Sequence, residues 1–409
     1  MRIAILGSGA REHAIAYTFK EHGYDVCVIP GNDGMKLTGI PVIKIDVNNI
    51  LHFVDTVVDL APDIVVVGPT EYMVAGIVDR LLENGIKVIG ATQKASLLES
   101  DKVVAKEFME RHGIPTARFR IVHTLSQLER ALKSFSPPYV VKVPTLQGGK
   151  GSFILPSLSE ALEIGGKIIT SGFRGMLSDG LVVEEYLNGE EYAVQILISS
   201  GEYIILPMVW EYQRLYDGGR GPNTGGMGAV APIRIHNEVF RSIKVLVDKT
   251  VKAMLKEGIA YEGFLYLGVM ITRDGAKVLE YNVRLGDPET EVLIPLDKEG
   301  FIRMIKDTAF GRLPDVLHPK NVSVAVSLVS EGAPYGYTRS IIRLNDYRDV
   351  FFDHVTKIDN NLWVSGWRPL IAVGIGQSYE EAAMEVYRRI QNISFDGMIY
   401  RKDIAAELL

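Results

Sequence analysis

One cysteine, Cys27, in 409 residues is too few for an intrachain disulfide or a Cys-rich metal site. Such usage fits a reducing compartment. Basic residues are not in excess either. Lys and Arg total 44 against 50 Asp and Glu, for a net charge of −6, and no basic run or stripe offers a nucleic-acid surface. No uninterrupted apolar stretch approaches the roughly 20 residues that a membrane helix needs, and "MRIAILGSGAREH" lacks a signal-peptide core and cleavage site. The expectation is a cytoplasmic protein with no membrane and no nucleic-acid partner. Internal repeats, heptad seams and Ser/His/Asp or Cys/His constellations are also missing. What remains is 47% hydrophobic and 23% charged, the composition of a soluble globular chain of roughly two to four domains.

Short apolar runs alternate with helical patterns over residues 1–100. "RIAILG", "DVCVIPG", "DIVVVGP" and "KVIG" read as strands between helices at "REHAIAYTFKEHG", "NILHFVDTVVDLAP" and "YMVAGIVDRLLENG". This predicts an α/β unit with a doubly wound parallel sheet. A helix at "SDKVVAKEFMERHG", capped by Ser100 or Asp101 and stopped by Gly113, opens the next part. There "SPPYVVKVP" reads as a strand, "GLVVEEYLNGEEYAVQILIS" and "EYIILPMVWEYQRL" as paired strands, and 236–257 as a long helix. "FLYLGVMITRDGAKVLEYNV" reads as a hairpin turning at "RDG". The stretch 321–409 suggests a small α+β cap.

Three glycine-rich stretches and one strand carry the chemistry. "GSGAREHA" (7–14) joins the first strand to the first helix, where free N–H groups and the helix dipole favour an anion. Its third dinucleotide glycine is replaced by Glu12, and the second strand ends in Pro30-Gly31 without the acid that grips a ribose, so a phosphate-bearing substrate suits it better than a dinucleotide. "LQGGKGSF" (146–153) is not a Walker A loop, but its N–H groups and Lys150 can cover phosphates as a flap. Lys142 lies in an apolar strand just before it and needs a partner. "DGGRGPNTGGMGAVAP" (217–232) reads as a substrate-binding loop in which glycines let the backbone approach a small ligand. In "LEYNVRLGDPET" (279–290), strand alternation puts Glu280, Asn282 and Arg284 on one face. Two hard oxygen donors suit Mg²⁺ bridging phosphate oxygens, and the guanidinium suits a phosphate or carboxylate.

In their order, Lys102, Lys142, the flap, "EEYLNGEE" and "LEYN" resemble the ATP-grasp enzymes. "GPNTGGMGA", "VLEYNVRLGDPETE", "GSGAREHA" and "ISFDGMIYRKDIA" narrow this to a resemblance, over essentially the whole chain, to the phosphoribosylamine–glycine ligase (glycinamide ribonucleotide synthetase) family. The resemblance implies a step of de novo purine biosynthesis. ATP phosphorylates the glycine carboxylate, and the amine of 5-phosphoribosylamine attacks the glycyl phosphate, giving glycinamide ribonucleotide, ADP and phosphate. It also implies a substrate domain over 1–100, an ATP-grasp body over 101–119 and 187–320, a lid over 120–186 and a cap over 321–409. By position, Lys102, Lys142, Gly148, Gly149 and Lys150 would contact ATP phosphates. Glu184, Glu185 and Leu187 would line the adenine pocket, Glu191 would hold the ribose, and Glu280 and Asn282 would hold Mg²⁺ or Mn²⁺. Gly9, Ala10, Arg11 and Glu12, with Gly68 and Thr70, would bind phosphoribosylamine. Asn223, Thr224, Gly225, Gly226, Arg284, Asp287 and Glu289 would surround glycine and the reacting amine, with Arg284, Lys150 and Asp287 closest to the chemistry. The partners are small molecules, and the assembly a monomer or homodimer.

The sequence departs from the family pattern at Pro144, where the flap usually has Asp, and in "WEYQR" (210–214), usually Gln-Asp-His-Lys-Arg. It departs again at Gly219, usually Asp, and at Thr70, usually Glu. An ATP-grasp ligase with another carboxylate or amine is the alternative. A nucleotide sensor without turnover would have lost Glu280 or Asn282, and a nicotinamide oxidoreductase is opposed by the missing glycine and acid.

Overall fold

The parallel sheet expected at the start is present in the computed structural model, which describes residues 1–145, 151–171 and 180–409. Strands β1 (Arg2–Gly7), β2 (Asp25–Pro30), β3 (Ile64–Val67) and β4 (Val88–Ile89) stand in the order β2-β1-β3-β4 and pair in parallel. Their residues are buried almost throughout, as a sheet covered on both faces requires. Helix Ala10–Glu21 leaves the C-terminal end of β1, the edge at which open α/β sheets hold ligands. The helical pattern at 72–85 is divided between two short helices, Thr70–Val74 and Ile77–Glu83.

Helix Lys102–Arg111 begins where its cap predicts, with the Asp101 carboxylate accepting from the N–H groups of Val103 and Val104. It leads into a small antiparallel sheet of β5 (Phe119–Val122), β6 (Tyr139–Lys142), β7 (Ser152–Leu155) and β8 (Leu181–Glu185), in the order β5-β8-β6-β7. Helices Leu125–Lys133 and Leu158–Ser171 cover it through their own apolar core, which includes Leu128, Leu132, Val141 and Leu181.

Strands β9 (Glu190–Ser199), β10 (Glu202–Ile205), β11 (Trp210–Tyr216), β12 (Arg220–Ala231), β13 (Gly263–Thr272) and β14 (Gly275–Asn282) follow. The expected hairpin is β13–β14, and it belongs to the sheet β10-β9-β13-β14. The long helix Asn237–Glu257 packs on β14, with Thr250 and Tyr281 hydroxyls 3.0 Å apart. Two runs read as simple pairs are each divided between sheets, since β8 joins the small sheet while β9 joins this one, and β10 pairs β9 while β11 pairs β12.

The stretch 217–232, read as a loop, is mostly strand β12. It lies in a six-stranded sheet with β11 and the later strands β15 (Val322–Ser330), β16 being excluded, in the order β11-β12-β15-β20-β17, to which Met398–Ile399 adds through β15. Here β16 is Ile341–Leu344, β17 Val350–Phe352, β18 Val355–Ile358, β19 Asn361–Val364 and β20 Leu370–Gly376. Its glycines serve close approach within pairing. Gly226 has φ +103, and a Cβ there would fall 2.3 Å from Pro288 Cδ. The C-terminal stretch therefore shares its main sheet with strands from the middle of the chain, and helix Tyr379–Ile390 packs on it.

A buried ion triad joins helix Lys102–Arg111 to the small sheet. Glu184 forms ion pairs with Lys106 at 2.6 Å and with Lys142 at 3.0 Å, and each of the three is 7% exposed or less at its side chain. Burial pulls the Lys106 ammonium down to about 8 despite Glu184 beside it. Removing one member of a buried pair strands the other's charge. Lys106→Met should lower the unfolding free energy by about 3 kcal/mol, read from urea denaturation.

Candidate active site

Strand β14 sets the geometry. Tyr281, Val283 and Leu285 are buried, while Glu280, Asn282 and Arg284 keep partial exposure on the opposite side. This is the alternation that the sequence predicts. Lys102 Nζ, at the start of its helix, lies 2.6 Å from Glu280 Oε2. Lys142 Nζ donates to the Leu279 carbonyl at 3.1 Å and contacts Glu184. Burial alone would raise the Glu280 carboxyl, but Lys102 and Lys142 outweigh it and hold the group at about 2. Arg284 spans Asn282 Oδ1 at 3.4 Å and Glu99 Oε1 at 3.3 Å.

Further carboxylates face this strand. Desolvation, with the charge of Glu280 nearby, raises Glu191 on β9. Burial, with Glu289 opposite, raises Glu211 on β11 well above its ordinary value. Burial also lifts Glu289 to about 7, where Asp287 adds to the shift and Arg284 opposes it. The Tyr266 hydroxyl, raised chiefly by burial, feels all four glutamates. Among the described residues no group of three His, Cys, Asp or Glu is arranged to hold a metal alone. Glu280 and Asn282 supply hard oxygens beside an excess of negative charge, so the donor set fits a divalent cation that also draws oxygens from phosphates.

Other expected residues have partners within the fold. Glu184, read as adenine pocket, is committed to Lys106 and Lys142. Glu185 pairs with Arg118 at 2.6 Å and Lys277 at 3.4 Å, and Leu187 is buried. Gly148, Gly149 and Lys150 lie outside the described residues. At the first helix, the anion cradled by the N-terminus is the chain's own. Glu12 Oε2 accepts from the Gly9 N–H at 2.8 Å, and Oε1 from Arg11 Nε at 2.6 Å. Ala10 is buried, and Arg11 reaches on to the Leu285 carbonyl at 2.9 Å. Gly68 leaves room for Glu12, since a Cβ there would meet Oε1 at 1.9 Å. Thr70 is buried and donates to Glu99 Oε2 at 2.8 Å.

The glycine-rich strand meets the "GDPE" turn. Asn223 stands opposite Arg214, and Thr224 Oγ1 donates to the Gln213 carbonyl and accepts from the Gly226 N–H. One residue that the sequence reading missed holds these parts together. Arg368 donates to the Gly225 carbonyl at 2.7 Å, the Asp287 carbonyl at 3.1 Å and Asp287 Oδ1 at 2.6 Å. It also pairs with Asp353 Oδ2 at 3.3 Å. Its signal was an arginine inside the apolar run "GWRPLIAVG", which burial forces to find a partner.

Models of phosphoribosylglycinamide synthetase match the chain in three successive segments: the N domain over 1–99, the ATP-grasp (A) domain over 100–290 and the C domain over 323–407. The chain is 39% identical over 408 residues to phosphoribosylamine–glycine ligase of Thermotoga maritima, covering 99% of each. It is 35% identical over 416 residues to that of Caldanaerobacter subterraneus subsp. tengcongensis, covering 99% of this chain and 100% of the other. The crystal structure of the Thermotoga maritima ligase is similar at a TM-score of 0.89 and 37% identity, covering 99% and 100% of the two chains. The biotin carboxylase domain of the Hydrogenobacter thermophilus 2-oxoglutarate carboxylase shares the fold, at a TM-score of 0.75, 16% identity and coverage of 99% and 97%. With the three segments in this order along its length, the chain belongs to the phosphoribosylamine–glycine ligase family of ATP-grasp enzymes.

Proposed function

We propose that the chain ligates glycine to 5-phosphoribosylamine with ATP, and that the cleft along β14 is where both steps occur. The observation that carries the reading is the meeting of Lys102 and Lys142 at Glu280, on the strand face that also presents Asn282 and Arg284. Two cations beside a carboxylate–amide pair supply what a nucleoside triphosphate and its divalent ion need.

In this reading Lys102 and Lys142, with Lys150 from the flap, neutralise the ATP phosphates. Glu184 keeps Lys142 charged and in place, Glu185 and the backbone at Leu187 lie along the adenine, and Glu191 takes the nucleotide ribose. Glu280 and Asn282 would hold Mg²⁺ or Mn²⁺, which when bound offsets charge on the transferred phosphoryl group. A glycine carboxylate oxygen forms a bond to the γ-phosphorus as the bond to the bridging oxygen of ADP breaks. The amine of phosphoribosylamine then bonds to the carbonyl carbon of glycyl phosphate, and phosphate leaves. Arg284 faces the reacting carboxyl, and Asp287 orients the amine. The attacking amine must lose a proton, and the ionised form of Glu289, whose carboxyl burial lifts to about 7, can take it. Closure around these groups protects the acyl phosphate from water.

The test of function is ADP release that requires ATP, glycine and phosphoribosylamine made in situ from ribose 5-phosphate and ammonia, with glycinamide ribonucleotide detected by mass. Release without either co-substrate, or a product of another mass, would refute the assignment. Glu280→Gln should lower kcat by roughly 100-fold or more with a thermal midpoint close to the parent's. An active variant would remove Glu280 from the phosphate site.

Glu289 also predicts a pH dependence of stability. Its carboxyl titrates near 4.5 when unfolded and at about 7 when folded. Between those values the folded chain keeps a proton that the unfolded chain has lost, so this contribution is complete below the lower value and lost as pH rises through the upper one. Relative to Glu289→Gln, the parent's thermal midpoint should fall between pH 5 and pH 8. Parallel curves would contradict the shift.

A further inference from the structure

Strand β9 carries a glutamine on the face of its sheet that bears Asn282. Gln195 stands opposite Tyr266 on β13, which stands opposite Asn282 on β14, and residues directly opposite in a ladder share a face. Gln195 is 2% exposed, and its Oε1 accepts from the Gly286 N–H at 2.9 Å. Only the carbonyl end of a carboxamide can accept, so this contact fixes which end is which. The other end, Nε2, is buried without a hydrogen-bond partner among the described residues. A buried donor costs free energy until an acceptor meets it.

The acceptor that shares Gly286 with this glutamine is Glu289. A Cβ on Gly286 would fall 2.4 Å from Glu289 Cδ and 2.5 Å from each carboxyl oxygen. The carboxyl therefore rests on the Cα of Gly286, one bond from the nitrogen that Gln195 holds. Glu289 is 2% exposed, and the one hydrogen bond that favours its charge comes from its own N–H. The other groups facing it act through charge. Arg284 and Arg368 favour the carboxylate, Asp287 opposes it, and Glu211 on β11 and the Tyr266 hydroxyl on β13 feel it. Glu291 lies on the same short helix, Glu289–Leu293, and Arg11, on the first helix packed against it, is turned to Glu12 and to the Leu285 carbonyl. The Leu285–Gly286 peptide is thus held at both edges, at its carbonyl by Arg11 and Arg284 and at its N–H by Gln195.

We infer that Gln195 is a positioning residue for Glu289: it fixes the turn through Oε1 and donates from Nε2 to the Glu289 carboxylate once that group is ionised. The inference rests on the reading that ionised Glu289 takes the proton of the attacking amine, and it deepens that reading. A donor to the ionised form makes that form easier to reach. Nε2 can occupy one carboxylate oxygen and leave the other for the amine, so the base is held in one orientation.

Gln195→Met tests this, because methionine fills similar space and offers no donor. The parent's kcat should rise with pH as Glu289 ionises. In the variant that rise should move up by about one pH unit, as expected for losing one hydrogen bond to a charged group. The KM for ATP should stay as in the parent, and the two kcat values should approach each other at high pH. A merely structural role would lower kcat alike at every pH. The fall of the thermal midpoint with rising pH, which ends as folded Glu289 ionises, should likewise extend about one pH unit higher in the variant. An unmoved midpoint curve would overturn the inference. A moved midpoint curve beside an unmoved rate profile would overturn the reading of Glu289 as base, and the positioning role with it. The midpoint needs no turnover, so it still decides the contact if the chain proves not to ligate glycine. If Gln195→Met does not fold, the parent with nitrogen-labelled glutamine carries the test by NMR. One side-chain NH₂ signal should titrate with Glu289, persist in Gln213→Leu, which removes the amide beside Glu211, and stop titrating in Glu289→Gln. Absence of that signal would refute the contact.

Discussion

Glu184 holds two lysine ammonium groups where almost no water reaches, and the geometry at the end of β14 depends on that contact. A lysine in the apolar strand Tyr139–Lys142 would otherwise lose its proton or swing out to solvent. Between Glu184 and the Leu279 carbonyl, Lys142 stays charged and points at the end of β14. Lys106 supplies the second positive charge that a buried carboxylate with two neighbours needs, and its own donor geometry is completed by the Thr116 hydroxyl at 2.7 Å. A buried ion network is a weak source of net stability. Here its return is position, because it aims a cation that has no freedom to leave.

Opposite charges are segregated across the cleft. Lys102 and Lys142 stand at Glu280, whereas burial raises Glu191, Glu211 and Glu289, with Glu211 feeling the other two and Arg284 opposing the shift of Glu289. The first arrangement attracts phosphates, and the second favours whatever brings positive charge or gives up a proton. A ligase that first makes an acyl phosphate and then accepts an amine needs both surfaces within reach of one carboxyl group. The chain provides them from β9, β11, β14 and the turn after it.

Much of this was legible from residue order. Alternation along 279–285 gave the exposed face of β14, Asp101 gave a helix start, and "RDG" gave the hairpin turn, because each depends on neighbours a few residues away. Strand β12 was misread because glycines and prolines signal local turns, while its pairing with β11 and β15 is decided by residues as distant as Ser323 and Val326. The partners of Thr70 and Glu184 inside the fold, Glu99 and Lys106, could not be read from residue order. Arg368 was passed over because its contacts lie with Gly225 and Asp287, far away in sequence, and with Asp353. A charge in an apolar run announces that a partner exists without saying which.

The six-stranded sheet has a mechanical consequence. Strands β11 and β12 carry Glu211 and Asn223 to Gly226, and the ladder from β12 through β15 to β20 ties them to the segment bearing Asp353 and Arg368. Hydrogen-bonded strands resist shear, so a continuous ladder couples the middle and C-terminal stretches. In the proposed function, the movement that admits ligands then falls to the small sheet β5-β8-β6-β7, which has its own core and its own covering helices.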